Sequence, residues 1–514
     1  VVSRVLVHGS HCRALLLHTS HPALSACASS AMDSELSTPS AKHVRWDESL
    51  PPDPPQWKKL VSSDAPPPSP SCSANDAIRL SSAAIAVLDS HGEAKGSNPA
   101  EEDTHQHINR EGFRPEFTHQ LFDEERIGGF KDGEVNVKVV YSPTTLDFLV
   151  KIQTPNDQST TGRTSDILSR LAKALPGGNY TTDEDSFQKQ LESRRREFTP
   201  PGERVHEYHK GGETFSVYRA TGEDPGACEY HGRAQCLAPW FIEAADEIDL
   251  SDDRWEVFYM FQEETTTEIL GEKWKPAALV GYFTVFGFRN PVKGVSLRVC
   301  QALVLPQFQR QGHGKTMLEY LYGQARSRES VFEITVEDPA PGFEKVRNLV
   351  DARTLRELRV FPADILSSDV FKRPSKDVIQ AAHTASKLTV SQVEIAFDIL
   401  KACDVSEEAG ETTDISAVAT GTDPTIPSAG GTVPSGNDAT HGGNAQADGV
   451  DDKQKRYRLM VKRRLLKRHG EELSTDATAR KRQLEELYRD VEPGLVSLGA
   501  KLRKEDRREE ETVV

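Results

Sequence analysis

Cysteine is scarce and scattered: seven residues, at positions 12, 27, 72, 228, 236, 300 and 403, form no CxxC pair and no dense framework. That argues against a disulfide-stapled scaffold and a structural zinc site, and it suits a reducing compartment. No run of 18 apolar residues occurs, so no membrane span is expected. Basic residues are outnumbered 63 to 79, for a formal net charge of −16, which disfavours direct nucleic-acid binding and leaves room for a basic partner or substrate. No internal repeat is visible. Two local absences matter for organisation: residues 1–31 contain no Asp or Glu, and residues 404–452 contain no Lys or Arg.

The first of these stretches has Arg4, Arg13, four His and many Ser and Ala, in the manner of a transit peptide. Because Met32 opens an ordinary acidic, Ser-rich segment, Met32 is read as the start and the preceding residues as a gene-model artefact. Residues 1–73 are then a disordered segment, rich in Pro and Ser after Met32. A small mixed α/β domain is expected over 74–200. Its strands are read at Asn75–Leu88, Glu134–Tyr141 and Leu146–Ile152, and its helices at Ser165–Leu175 and Thr182–Arg196. A second unit over 201–342 carries a strand at Thr214–Arg219, a helix at Ala234–Glu247 and strands at Trp255–Phe261 and Ala277–Phe286. Helices at Phe343–Leu358 and Thr389–Ala402 form a region over 343–403. The acidic stretch 404–452 reads as a disordered insert, and 453–514 as a charged helical region with a last helix, Ala477–Asp490, stopping before Pro493. The basic run Lys453–Arg468 reads as a solvated helix face with Leu459, Leu465 and Leu466 inward; a nuclear-import signal or nucleic-acid patch is the competing reading.

The chain is organised around VCQALVLPQFQRQGHGKTML, residues 299–318. Ala302-Leu303-Val304-Leu305 reads as a buried strand ended by Pro306, and Leu318, Leu321, Tyr322 and Ala325 share one face of a following helix. Gly312 and Gly314 stand where the strand becomes the helix. Lacking Cβ atoms, they let backbone approach a ligand, and the first-turn N–H groups suit a phosphate. Val331–Glu337 supplies the next strand, with Phe332, Ile334 and Val336 on one face and Glu333, Thr335 and Glu337 on the other.

Gln309-Arg310-Gln311-Gly312-His313-Gly314 matches the pyrophosphate loop of the GNAT N-acetyltransferases, and a bare Gly-x-Gly is weakly specific. Three further blocks narrow the resemblance: WFIEAADEIDLSDDRW (240–255), FEITVEDPAPGFEKVRN (332–348) and FRPEFTHQLF (113–122). With YRLMVKRRLLKR (457–468), they resemble the catalytic subunit of the type B histone acetyltransferase, over about 74–403 and 453–490. The implied architecture is α+β: a GNAT acyl-CoA N-acyltransferase fold, that is, a mixed sheet with flanking helices, plus a small mixed α/β N-terminal domain and a helical C-terminal region.

The resemblance implies acetyl-CoA as co-substrate and no metal. Ala302, Leu303 and Val304 would offer strand backbone to the pantetheine arm, and Gln309, Arg310, Gln311, Gly312, His313, Gly314 and Lys315 would wrap the pyrophosphate, Lys315 either touching it or remaining solvated. A substrate lysine is nearly all protonated at neutral pH, its pKa being about 10.4, so a base must take its proton. Glu337 is the first choice, with Glu243 and Asp338 as the other implicated carboxylates. Histone-tail contacts carry over to Trp255, Phe286, Gly287 and Phe288 and to an acidic loop, Asp123, Glu124 and Glu125. Core packing is the competing reading of Phe286 and Phe288. Gly287 departs from a polar residue common in the family, and the acidic loop is one residue shorter here. The implied activity is acetylation of lysines on newly made histones, chiefly the tail of histone four, with a WD-repeat histone chaperone as partner and a cytoplasmic and nuclear location. An acetyltransferase of another protein or a polyamine, and a non-catalytic histone-binding scaffold, are the alternatives.

Overall fold

The computed structural model describes residues 70–83, 112–155, 161–175, 180–263, 267–269, 272–274, 277–367, 370–411 and 444–513. The expected disordered start, with the Met32 reading, therefore lies outside the described residues except at Pro70–Ser73, as does most of the acidic insert.

The N-terminal part opens with β1 (Ser71–Ser73), a short helix α1 (Ala74–Ala77) capped by the Ser73 hydroxyl, and β2 (Ile78–Ser82). One strand was expected here; a helical turn comes first, because Ser73 accepts the Asp76 N–H and starts it. Strands β3 (Arg126–Gly128), β4 (Asn136–Tyr141) and β5 (Phe148–Gln153), helix α2 (Thr161–Ala174), β6 (Tyr180–Thr181) and helix α3 (Glu184–Glu197) complete it. The main sheet has the order β2-β4-β5-β6, with β4 and β5 antiparallel, as the hairpin reading required. Alternation explains β4: Val137, Val139 and Tyr141 are buried, while Asn136 and Lys138 are exposed.

The second sheet is β7 (Glu203–Lys210), β8 (Glu213–Ala220), β9 (Trp255–Glu263), β12 (Ala277–Asn290), β13 (Gly294–Val304) and β14 (Val331–Val336), in the order β14-β13-β12-β9-β8-β7. A small hairpin, β10 (Thr267–Ile269) with β11 (Glu272–Trp274), stands between β9 and β12. Only β13 and β14 are parallel, and helix α5 (His313–Ser327) makes their crossover. Helix α4 (Ala227–Ala234) precedes β9. A helix over Ala234–Glu247 was expected, but α4 ends at Ala234 and passes into a 3-10 turn, Gln235–Trp240, containing Pro239, after which Ala244 takes a positive φ of 53°. Proline removes an N–H from the helical ladder, and a left-handed residue turns the chain away from it. The central strands are buried on both faces. Phe258, Met260, Val280 and Phe283 join α5 and the C-terminal helices in one core; Tyr259, Phe261, Leu279 and Tyr282 join the N-terminal part in another.

The C-terminal helices are α6 (Pro341–Glu357), α7 (Lys376–Ser386), α8 (Val390–Glu411), α9 (Asn444–His469) and α10 (Ala477–Val513). The edges of the acidic insert are thus helical, since α8 runs on to Glu411 and α9 starts at Asn444. Helix α10 also passes through Pro493, where a stop was expected. Leu495, Leu498 and Leu502 are buried beyond that proline, so apolar burial outweighs the single lost backbone bond. Helix α9 carries the basic run. Of the three leucines expected inward, Leu465 is buried but Leu459 and Leu466 are 50% and 42% exposed. Tyr457, Met460, Val461 and Arg464 fill the packed face instead, the Arg464 guanidinium lying 2.6 Å from the fully buried Asp398 carboxylate, which Arg373 also holds. Among the described residues, no helix is long and apolar enough to cross a membrane.

Candidate active site

The site begins at a fault in the sheet. Residues Val285 and Thr284 of β12 pair with Val299 and Gln301 of β13, leaving Cys300 as an extra residue in a β-bulge. Before it Leu297 and Val299 face the helical core; beyond it Leu303 faces the opposite core, because one added residue inverts the alternation. The parallel register with β14 also stops here, at Val299–Val336, and the Glu337 N–H makes a last bond to the Val299 carbonyl, 2.9 Å. From Cys300 to Val304, β12 is the only strand neighbour of β13 among the described residues. The two strands therefore open into a wedge. Ala302 and Val304 are half-buried along it, Leu303 is buried, and the Val304 carbonyl accepts the Gln309 side-chain amide at 3.0 Å.

Beyond Val304 comes the glycine loop. Gln309, Arg310 and Gln311 are exposed; Arg310 has φ 62° and Gly312 φ 86°, the latter capping α5 in the left-handed region that glycine occupies without strain. A Cβ on Gly314 would lie 3.9 Å from the Phe343 ring and 4.0 Å from Val304, so that glycine faces the wedge. His313 is buried, its Nδ1 paired with the Tyr208 hydroxyl at 2.9 Å, and burial holds its pKa at about 4, so the ring is neutral at pH 7. Lys315 does not extend into solvent: its ammonium meets Glu505 of α10 at 3.3 Å.

At the other end of the wedge stands Glu337, about half exposed, its carboxylate 3.3 Å from Arg298. The Arg298 guanidinium lies 4.5 Å from the Phe288 ring centre, and Phe288, Phe286 and Trp255 stack edge to face at 4.7 Å spacings. These rings form a wall on the sheet's outer end. Phe288 is 41% exposed and Phe286 half-buried, while the half-buried Trp255 also packs against the core shared with the N-terminal part. Gly287 sits between, its N–H on the Arg254 carbonyl at 2.9 Å. Arg298 thus joins the aromatic wall to the carboxylate, a link invisible in the motifs. Cys300 stands beside Glu337; burial first, then that carboxylate, push its thiol up to about 12.

The remaining candidates lie on loops. Glu243 is exposed and makes no ion pair among the described residues, on a segment pinned at Asp246, whose carbonyl accepts the Gln301 amide, and at Ala245, whose carbonyl accepts Gln120. Asp338 takes a φ of 29° and lines a cleft of about 550 Å³ with Thr335, Glu344, Arg347, Ser391 and Arg468. Asp123, Glu124 and Glu125 form a 3-10 turn. Asp123 pairs with Arg170 at 3.2 Å, and the Thr118 N–H donated to Glu125 lowers that carboxyl's pKa. Among the described residues no hydrogen bond, ion pair or ring contact joins this turn to the aromatic wall. They also hold no group of His, Cys, Asp and Glu arranged to bind a metal ion.

Residues 70–243 match the family model described as the N-terminus of the histone acetyl transferase HAT1. The chain is 30% identical over 297 residues to the histone acetyltransferase type B catalytic subunit of Rattus norvegicus, covering 56% of this chain and 68% of the rat protein. The Homo sapiens protein matches to the same extent. This chain belongs to the type B histone acetyltransferase catalytic subunit family. A Dictyostelium discoideum protein of the same description is 27% identical over 293 residues, 54% of this chain and 60% of its own length. The matched stretch thus spans from 52% to 69% of the length of relatives of this description. In this type B family member, the N-terminal match ends at Glu243, one of the candidate carboxylates.

Proposed function

We propose that this protein transfers an acetyl group from acetyl-CoA to lysine side chains of histones, chiefly the tail of histone four, by direct attack in a ternary complex. The observation that carries this reading is the wedge between β13 and β14, which has a glycine-capped helix N-terminus at one end and a carboxylate at the other. Pantetheine is a narrow chain of amides, and unpaired strand edge suits it; a pyrophosphate gains from first-turn N–H groups and from the positive end of the α5 dipole. Family membership supports the same co-substrate.

The chemistry then divides among the residues at the narrow end, where the strands begin to part. Glu337 accepts a proton from the substrate ammonium, the freed amine forms an N–C bond to the thioester carbonyl, and as the C–S bond breaks the surplus N–H proton passes to the departing sulfur, so that CoA leaves as the thiol. Trp255, Phe286 and Phe288 cover the aliphatic stem of the incoming lysine and can hold its cation by their ring faces. Glu243 and Asp338 are the reserve carboxylates. Cys300 supports direct attack over an acetyl-enzyme intermediate, since a thiol held at about 12 is a poor nucleophile near pH 7. A basic tail also fits an acidic protein, here −16 in net charge. A WD-repeat chaperone partner and a cytoplasmic and nuclear distribution extend the reading through the family alone.

The test is transfer of label from acetyl-CoA to a histone-four tail peptide, with spermine as the competing acceptor and Glu337→Gln alongside. Labelled peptide, unlabelled spermine and a roughly hundredfold lower turnover in the variant are expected. Labelled spermine without labelled peptide would make the protein an amine acetyltransferase. Donor binding without transfer to either acceptor would leave a histone-binding scaffold.

A further inference from the structure

The loop that ends in Gly312 is flanked by two lysines from different parts of the chain, and their situations differ. Lys315, in the first turn of α5, is engaged by Glu505. Lys210 is the last residue of β7, the edge strand of the large sheet, more than a hundred residues earlier in the sequence. Its ammonium is half-buried and lies so near the loop that a Cβ placed on Gly312 would be 3.1 Å from Nζ. Among the described residues no carboxylate stands within ion-pair distance of it, Glu319 acting only from farther away.

This placement is held by structure and is more than a chance rotamer. His206, Tyr208 and Lys210 share the face of β7 turned toward α5. His206 stacks on Tyr320 of α5 at 5.0 Å, and the Tyr208 hydroxyl bonds the His313 ring at 2.9 Å. The Lys210 ammonium in turn lies 6.0 Å from the Tyr208 ring centre. Strand β7 is thus fastened to the first turn of α5 immediately beside the cation. A half-buried ammonium next to a helix N-terminus and a second lysine is electrostatically unfavourable by itself, and its pKa is lowered by burial first and by Lys315 after Glu319's opposing effect. An arriving anion reverses the sign of that interaction.

We propose that Lys210 is a phosphate-binding residue of the donor site, clamping the pyrophosphate of CoA against the Gly312 turn from the side opposite the helix. The inference rests on the acetyl-CoA reading above. It gives the loop a direct positive contact from the edge strand, with Lys315 kept in place by Glu505.

Calorimetric titration of the full chain with three ligands tests it: acetyl-CoA, its 3′-dephospho form and acetyl-pantetheine. Lys210→Ala should weaken acetyl-CoA and the dephospho form equally, by about tenfold, with acetyl-pantetheine affinity unmoved and Lys210→Arg close to wild type. A steeper salt dependence of wild-type binding than of the alanine variant is expected as well. Equal affinity of wild type and Lys210→Ala for acetyl-CoA overturns the proposal. A loss confined to acetyl-CoA and absent with the dephospho form also overturns it, because the contact would then be to the 3′-phosphate. Absence of acetyl-CoA binding to the wild type would instead overturn the donor reading on which the proposal rests.

Discussion

Strand β13 runs between two chemical settings. Its C-terminal end leads to Gly312, a helix N-terminus, Lys210 and Arg310, all positive or donating. Its bulge, at Cys300, faces Glu337, with Arg298 and the stacked Trp255, Phe286 and Phe288 beyond. One end is fitted to an anion and the other to a cation with an aliphatic stem. On the proposed reading, the first end would take the negatively charged donor and the second the substrate lysine, with Arg298 beside Glu337 balancing that carboxylate until the lysine arrives.

The comparison can be broken at either end. The largest effect is expected from Gly312→Val, which puts a β-branched residue at φ 86° and a methyl group against Lys210. Acetyl-CoA affinity should fall about a hundredfold, while the thermal transition shifts only by the equivalent of about 1–2 kcal/mol of local strain; calorimetry and a melting curve on the same sample separate the two. Next comes Trp255→Ala, at the other end. KM for the histone-four tail peptide should rise about tenfold with the acetyl-CoA Kd unchanged, and a fall in donor affinity would show that the two ends are not separate. The smallest effect is expected from Glu505→Gln, which loosens the hold on Lys315. Arg353 shares the Glu505 carboxylate at 3.5 Å and both side chains of the pair are mostly buried, so Lys315 stays largely in place and donor affinity should tighten by about twofold and no more.

Much of the donor end was legible in the sequence, because it is local: strand, Pro306, two glycines and the helical stripe Leu318, Leu321, Tyr322 and Ala325 lie within a short stretch, and all four stripe residues are buried. The resemblance carried Glu337 and the aromatic residues. Strand β7 escaped notice. As an edge strand reading ERVHEYHK it has no apolar alternation; its inward face is His206, Tyr208 and Lys210, polar residues whose burial depends on α5. Lys210 went unseen with it. The Arg298 bridge was hidden for a related reason, since it spans two strands and a ring that no spacing rule connects. Secondary structure was misread where tertiary burial overruled a local signal, as at Pro493, where a 3-10 turn containing Pro239 replaced a segment of good helix formers, and where the Ser73 cap started a helical turn.

The two ends of the wedge are expected to do separate work. Steady-state turnover at saturating donor, measured beside acetyl-CoA Kd for Glu337→Gln and Lys210→Ala, tests it most directly. Glu337→Gln is predicted to lower kcat about a hundredfold with Kd within about twofold of wild type, and Lys210→Ala to raise Kd about tenfold with kcat within about twofold. If both substitutions move the same constant, the division between a donor end and an acceptor end is wrong.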